Sequence, residues 1–323
     1  MARELAPQSP DGTYQRPKDP FIEDKLPEKF GQFYLYTGNA CPWCHRVHFA
    51  TLLQGLEKEV TVVHLLDDAE KASRGGWIIK GAARAEPVFG AKDLREVYEG
   101  ACEGFKGRCT APMLLECTPG GGKRIVSNNS TNILKLLNEV STRKSDQAGA
   151  RIDLFPSEIK GEIDRMGQYL FENLNNGVYQ AGFSTSQAGY DTAVKKVFAC
   201  LDKLESNLDD QRFLMGDKMT ATDVMMLPTI SRFDAVYATL FKCGKRRIKD
   251  YPNLLGWMKL MFRFPGSFES FDLDDSRRSY FEQLFPMNPS LIVPSGPSWE
   301  DIGIDPGQGR MSNQEVLDYV HVV

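Results

Sequence analysis

Two thiols in the run Cys41-Pro42-Trp43-Cys44 are the groups in this chain best placed for covalent chemistry. Pro42 suits the first helical position, where its missing N–H costs nothing. Cys41 then stands at a helix N-terminus, where unpaired N–H groups and the positive end of the dipole stabilise an anion. A thiol so placed has its pKa lowered until much of it is thiolate near neutrality, and the thiolate is the nucleophile. Metal binding is disfavoured, because Cys102, Cys109, Cys117, Cys200 and Cys243 are scattered without a second ligand pair. A structural disulfide across so short a loop would add little stability. Two ordinary half-buried cysteines are the plain alternative. A C-x-x-C that follows a strand and opens a helix otherwise belongs to a thioredoxin-like fold.

The elements around it have that order. Phe33, Leu35 and Thr37 alternate with tyrosines and read as a strand ending at Gly38. Val47, Ala50, Leu53 and Leu56 then recur at three-residue steps on one helical face. The β-branched run Val60–His64 reads as a buried strand, so strand, helix and strand imply a parallel pair with a right-handed crossover. Residues 66–106 show little periodicity and form a long loop. It holds the Gly75-Gly76-Trp77 turn, where Trp77 is either the aromatic wall of a site or a plug against the core. Gly107–Leu115 re-enters a strand, with Lys123–Val126 as its hairpin partner. A cis bond before Pro112 would leave the Ala111 N–H and C=O to a ligand, against the alternative of a plain edge proline. Asn128-Asn129-Ser130-Thr131 caps the next helix, whose N-terminus can hold a carboxylate. Ser130 taken alone is an ordinary cap.

Composition bounds the setting. The chain has 323 residues, 41% hydrophobic and 25% charged, which is an ordinary composition with room for two domains. A net charge of -4 without a basic run argues against nucleic acid and against an anionic membrane surface. No apolar run approaches the roughly 20 residues that a membrane span needs. Seven cysteines, an odd count, suit a reducing compartment, so the expected location is cytoplasmic. A trimmed plastid or mitochondrial address is compatible with that. The expected organisation is an irregular arm over 1–30, pinned by Phe21 and Phe30, and a thioredoxin-like α/β domain over 31–140. A polar linker follows over 141–156, then an all-α domain over 157–264 and an extension over 265–323 whose last fifteen residues are frayed. In the helical part, Ile159, Ile163, Met166, Leu170 and Leu174 share one face. Thr220-Ala-Thr-Asp223 caps an apolar helix, with Asp223 read as its buried N-cap.

This layout is that of the cytosolic glutathione transferases. The set Cys41-Pro-Trp-Cys44-His-Arg, Gly75-Gly-Trp77, Gly107-Arg-Cys-Thr-Ala-Pro112, Ile125-Val-Ser-Asn-Asn-Ser130, Arg232-Phe-Asp-Ala-Val-Tyr237, Phe241-Lys-Cys243 and Tyr251-Pro-Asn-Leu254 resembles the glutathionyl-hydroquinone reductases, the Xi class of that superfamily. The resemblance covers roughly residues 9 to 300, including a C-terminal segment with Tyr280 and Asn288-Pro289. It implies that Cys41 removes glutathione from a glutathionyl-hydroquinone and that a second glutathione releases it from Cys41. Trp77, Arg108, Ala111, Pro112, Asn129 and Ser130 would then bind glutathione, while Tyr179, Tyr280 and Tyr237 would face the hydroquinone. Tyr237 has helix packing as its alternative role. A homodimer is expected from the resemblance, and no metal.

Two positions depart from the family pattern. Asn129 stands where a glutamate is usual before the serine, which removes a charge at a cost of about 1 kcal/mol in glutathione affinity. Cys44 stands where alanine is common, and reads as either a resolving thiol or a small buried one. Two other functions compete with the reductase. One is an omega-like thiol transferase or dehydroascorbate reductase, which a compact chain without the Trp77 loop and Tyr280 tail would suit better. The other is a non-enzymatic carrier of quinone-like aromatic ligands.

Overall fold

The chain, seen here in a computed structural model, is described over residues 7–68, 76–81, 86–143, 151–284 and 287–323. Gly75, and with it part of the expected long loop (69–75 and 82–85) and of the expected linker (144–150), lies outside the described residues. The chain divides into two compact units, one built from Asp19–Arg151 with Glu269–Asp272, the other from Met1–Lys18, Ile152–Phe268 and Leu273–Val323.

The first unit is a five-stranded sheet in the order β3-β2-β1-β4-β5. β1 (Gln32–Gly38) runs parallel to β2 (Val60–Asp67), joined by helix α1 (Pro42–Leu53), and antiparallel to β4 (Met113–Cys117). Leu35 sits opposite both Val62 and Leu114, which centres β1 in the sheet. β4 and β5 (Lys123–Ser127) form the expected hairpin, and α3 (Ser130–Arg143) follows. β2 differs from the expectation of a buried strand. Its residues alternate, with Val60, Val63 and Leu65 inside and Thr61, His64 and Leu66 exposed, because only one face meets the core.

The stretch 66–106 is also not a plain loop. It carries an edge strand β3 (Trp77–Ile79), antiparallel to β2, and a helix α2 (Leu94–Ala101). Asp93 caps that helix by accepting the Glu96 N–H at 3.0 Å, and Leu94, Val97 and Tyr98 bury one face. Glu86 fixes the turn ahead of it, accepting from the Val88, Phe89 and Ala91 N–H groups and from the Tyr36 hydroxyl. These elements are too short to show as periodicity.

Helix α1 is buried on nearly every side, with His48 among its inward groups. His48 packs edge-on against His64 with ring centroids 5.5 Å apart. Burial drives its pKa down from 6.5 to about 4, with a further push from His64. The unfolded chain takes up this proton near 6.5 and the folded chain only near 4, so acid favours unfolding across that window. The stability lost there is on the order of 3 kcal/mol. His48→Gln is therefore expected to flatten the fall in urea midpoint between about pH 6.5 and 4, and an unchanged fall would contradict the assignment.

The second unit is helical, with α4 (Lys160–Leu170), α5 (Gly177–Gly182), α6 (Gln187–Asn207), α7 (Ala221–Arg232), α8 (Pro252–Met261) and α9 (Leu273–Gln283). No described helix is long and apolar enough to cross a membrane. Asp223 is fully buried as expected, but the N-cap of α7 is Thr220. Asp223 is the third residue of a capping box and accepts the Thr220 N–H at 3.0 Å. The last residues are not frayed. Met311, Val316 and Val320 are buried, and a short helix α10 (Asn313–Val316) leads to β7 (His321–Val322). β7 pairs antiparallel with β6 (Ile152–Asp153), so the end of the expected linker is sheet. Tyr319 packs edge-on against Phe213 and Phe264, an aromatic anchor with no sequence period.

Candidate active site

Cys41 is the N-cap of α1 and is partly exposed. Its Sγ accepts the Cys44 N–H at 3.4 Å, and in the thiol form donates to the Ala111 carbonyl at 3.5 Å. Pro42 occupies the first helical turn as the sequence requires. The turn before it is held by Asn39, which exchanges two hydrogen bonds of 2.9 Å with the Asp272 backbone. Behind it, His45 stacks on Phe271 at 4.8 Å. The Arg46 guanidinium lies over the Trp43 ring and reaches Ser130 Oγ at 3.5 Å. The sulfur thus has a backbone donor at a helix start, which favours its anion. Cys44 is 1% exposed, with its backbone N–H rather than its thiol directed at Cys41. Other thiols are structural. Burial pushes Cys109 up to about 11, and Cys200 and Cys243 up to about 12.

The Ala111–Pro112 peptide is cis, which is one of the two forms the sequence left open. Its approach is set by Asn128, a buried side chain that donates to the Tyr98 hydroxyl and to Thr110 Oγ1, each at 3.2 Å. Tyr98 in turn donates to the Thr110 carbonyl at 2.8 Å. Trp77 starts β3 half-buried, and its ring lies against the Cα of Gly38. A Cβ on Gly38 would come within 2.1 Å of that ring, so only glycine fits at the end of β1. Trp77 is thus both lid and wall of this corner.

Asn129, not Ser130, caps α3. Its Oδ1 accepts the Asn132 N–H at 3.0 Å, and its Nδ2 donates to Asp19 Oδ2 at 3.0 Å. Ser130 is the first helical residue and is buried. Arg108 is exposed on the loop before Cys109.

In the helical unit three phenols converge. Tyr179 on α5 meets Tyr280 on α9 at 2.5 Å between hydroxyls, and Tyr280 meets Tyr237 at 3.2 Å. Tyr237 closes a π-turn (Phe233–Tyr237) that continues α7, and its ring stacks on Phe241 at 5.1 Å. Such one-residue irregularities recur at functional positions. Tyr237 and Tyr280 are buried, whereas Tyr179 is half-exposed. Burial, reinforced by Tyr237, holds the Tyr280 hydroxyl well above the ordinary phenol range, against the pull of Arg232. The cluster therefore keeps its protons, and Tyr179 is its outlet.

Comparison with known proteins adds the lineage. Residues 187–260 match the model of the glutathione S-transferase C-terminal domain. The chain is 36% identical to glutathionyl-hydroquinone reductase YqjG of Escherichia coli over 284 residues, covering 86% of this chain and 82% of that one. It is 37% identical over 270 residues to glutathionyl-hydroquinone reductase PcpF of Sphingobium chlorophenolicum, covering 83% of each. The glutathione-bound structure of YqjG superposes with a TM-score of 0.76 at 35% identity, covering 87% of this chain and 89% of that one. The Xi glutathione S-transferase of Phanerochaete chrysosporium does so with a TM-score of 0.80 at 31% identity, covering 90% of this chain and all (100%) of that one. The chain belongs to the glutathionyl-hydroquinone reductase family, the Xi class of glutathione transferases. In this Xi-class chain the sequence reading missed Asp19, Tyr98 and the placing role of Asn128. Asn128 had a readable signal in its run of capping residues, but Asp19 and Tyr98 reach their partners only through the fold.

Proposed function

We propose that this chain reduces glutathionyl-hydroquinones to free hydroquinones with glutathione as co-substrate, through a Cys41–glutathione mixed disulfide. The observation that carries the reading is the Cys41 sulfur, partly exposed at the start of α1 and 3.4 Å from the Cys44 N–H. It is supported by the relatives' names and by the glutathione-bound relative.

In the first step the Cys41 thiolate attacks the glutathionyl sulfur. An S–S bond forms, the aryl C–S bond breaks, and its electron pair goes to the ring carbon, which takes up one proton. The two sulfurs are oxidised to a disulfide and the ring carbon is reduced from C–S to C–H. In the second step a glutathione thiolate attacks the glutathionyl sulfur of the mixed disulfide, giving glutathione disulfide and the Cys41 thiolate. The Tyr179–Tyr280–Tyr237 cluster is assigned to the hydroquinone, with Tyr179 donating a hydrogen bond or proton as charge develops on it. The glutathione moiety is assigned to Trp77, Arg108, the Ala111–Pro112 backbone, Asn129 and Ser130. Its γ-glutamyl carboxylate is read onto the start of α3. The assembly is read as a homodimer.

The test is hydroquinone release from glutathionyl-menadiol with glutathione present. Wild-type protein is expected to turn over, and Cys44→Ser is expected to stay within about threefold of it, since that thiol is buried. A loss as deep as that of Cys41→Ser would replace the single-thiol cycle with a dithiol one. No release by the wild type, together with strong thiol transfer to other disulfides, would favour the omega-like alternative.

A further inference from the structure

The charge absent from residue 129 has a replacement on the N-terminal arm. Asp19 lies 110 residues from Asn129 in the chain, yet its carboxylate accepts the Asn129 amide N–H at 3.0 Å. The segment after it runs along the start of α3 as a built edge. Phe21 and Asn128 exchange hydrogen bonds of 3.1 and 3.2 Å, Ile22 bridges Ser127, and Asn132 donates to the Glu23 carbonyl at 2.8 Å. Phe21 further anchors the segment on Tyr98 and Phe105. The Asn129 amide is therefore held from both ends. Its oxygen is fixed by the helix cap and its nitrogen faces an anion.

We propose that Asp19 receives the α-ammonium of the γ-glutamyl end of glutathione. This rests on the glutathione reading above and adds to it the residue that selects for the amine. If the γ-glutamyl carboxylate docks on the first turn of α3, the ammonium on the same carbon arrives beside residues 129 and 130. Ser130 and Asn129 are neutral, and the cation beside them, Arg46, favours the carboxylate and repels the ammonium. An ammonium leaving water needs an anion with hydrogen-bonding geometry. Asp19 supplies it, oriented by Asn129. A carboxylate accepts several hydrogen bonds, so the one from Asn129 positions the group without exhausting it.

The experiment is calorimetric binding of glutathione and of its desamino analogue, glutaryl-cysteinylglycine, to three proteins. These are the wild type, Asp19→Asn, and Asp19→Asn combined with Asn129→Asp. The double variant reverses the amide and the carboxylate, and aspartate remains a good helix cap. Wild type is expected to prefer glutathione by about tenfold or more, the range of a charge-assisted hydrogen bond. Asp19→Asn is expected to erase that preference by weakening glutathione alone, and the double variant to restore it. Equal weakening of both ligands in Asp19→Asn would mean that Asp19 only anchors the arm, and the proposal would fall. So would a preference that survives in Asp19→Asn. Failure of the wild type to bind either ligand would instead overturn the glutathione reading itself.

Discussion

Cys41→Ser is expected to lower kcat/KM for hydroquinone release by roughly 10⁴-fold or more, the scale on which removal of a covalent nucleophile acts. The reason lies in ionisation and in the product formed. A serine hydroxyl at the start of α1 stays protonated, and attack on a thioether sulfur by oxygen would give no disulfide for the second glutathione to resolve. The backbone donors are unaltered by the exchange, so glutathione binding should change little. A rate assay paired with a binding titration separates the two effects. Loss of affinity equal to the loss of rate would mean that the substitution damaged the site instead of the chemistry.

The second large effect is on stability. Asp223 is fully buried and accepts the Leu214 N–H, the Thr220 N–H and the Trp257 indole N–H, each at 3.0 Å. Asp223→Ala leaves three donors buried with no acceptor, at a cost of about 1–3 kcal/mol each and less than additive because they share one site. The expected loss is on the order of 4 kcal/mol, a large part of the 5–15 kcal/mol that holds a typical domain. Urea unfolding at neutral pH would read it directly. Asp223→Asn keeps one acceptor oxygen and should fall between the two proteins. A change below about 1 kcal/mol in Asp223→Ala would mean that water or a neighbouring group satisfies those donors.

What the sequence made legible follows from how local each feature is. The Cys41 turn, its proline and the strand before it are one contiguous stretch, and each residue type has one mechanical reason to be there. The β4–β5 hairpin and the Thr220–Asp223 box are legible for the same reason. The features that escaped are those that two distant segments make together. Gly38 makes room for the Trp77 ring across the sheet edge. Asp19 sits in a proline- and lysine-rich arm where a single aspartate has no pattern around it. β3 and α2 span three and eight residues, less than the window in which a period can be recognised. The C-terminal residues are polar on average, and their few buried side chains, Met311, Val316 and Val320, follow the outline of the helical unit instead of a helical step.

The central claim is that Cys41 itself carries the glutathione between the two half-reactions, and a single turnover isolates that step. Reduced protein would be mixed with a limiting excess of glutathionyl-menadiol and no free glutathione. Released hydroquinone and protein mass would be followed together. The account predicts one free hydroquinone per chain and one glutathione adduct, on the peptide containing Cys41, which free glutathione then removes. Hydroquinone release without any adduct, or an adduct that forms equally in Cys41→Ser, would contradict it.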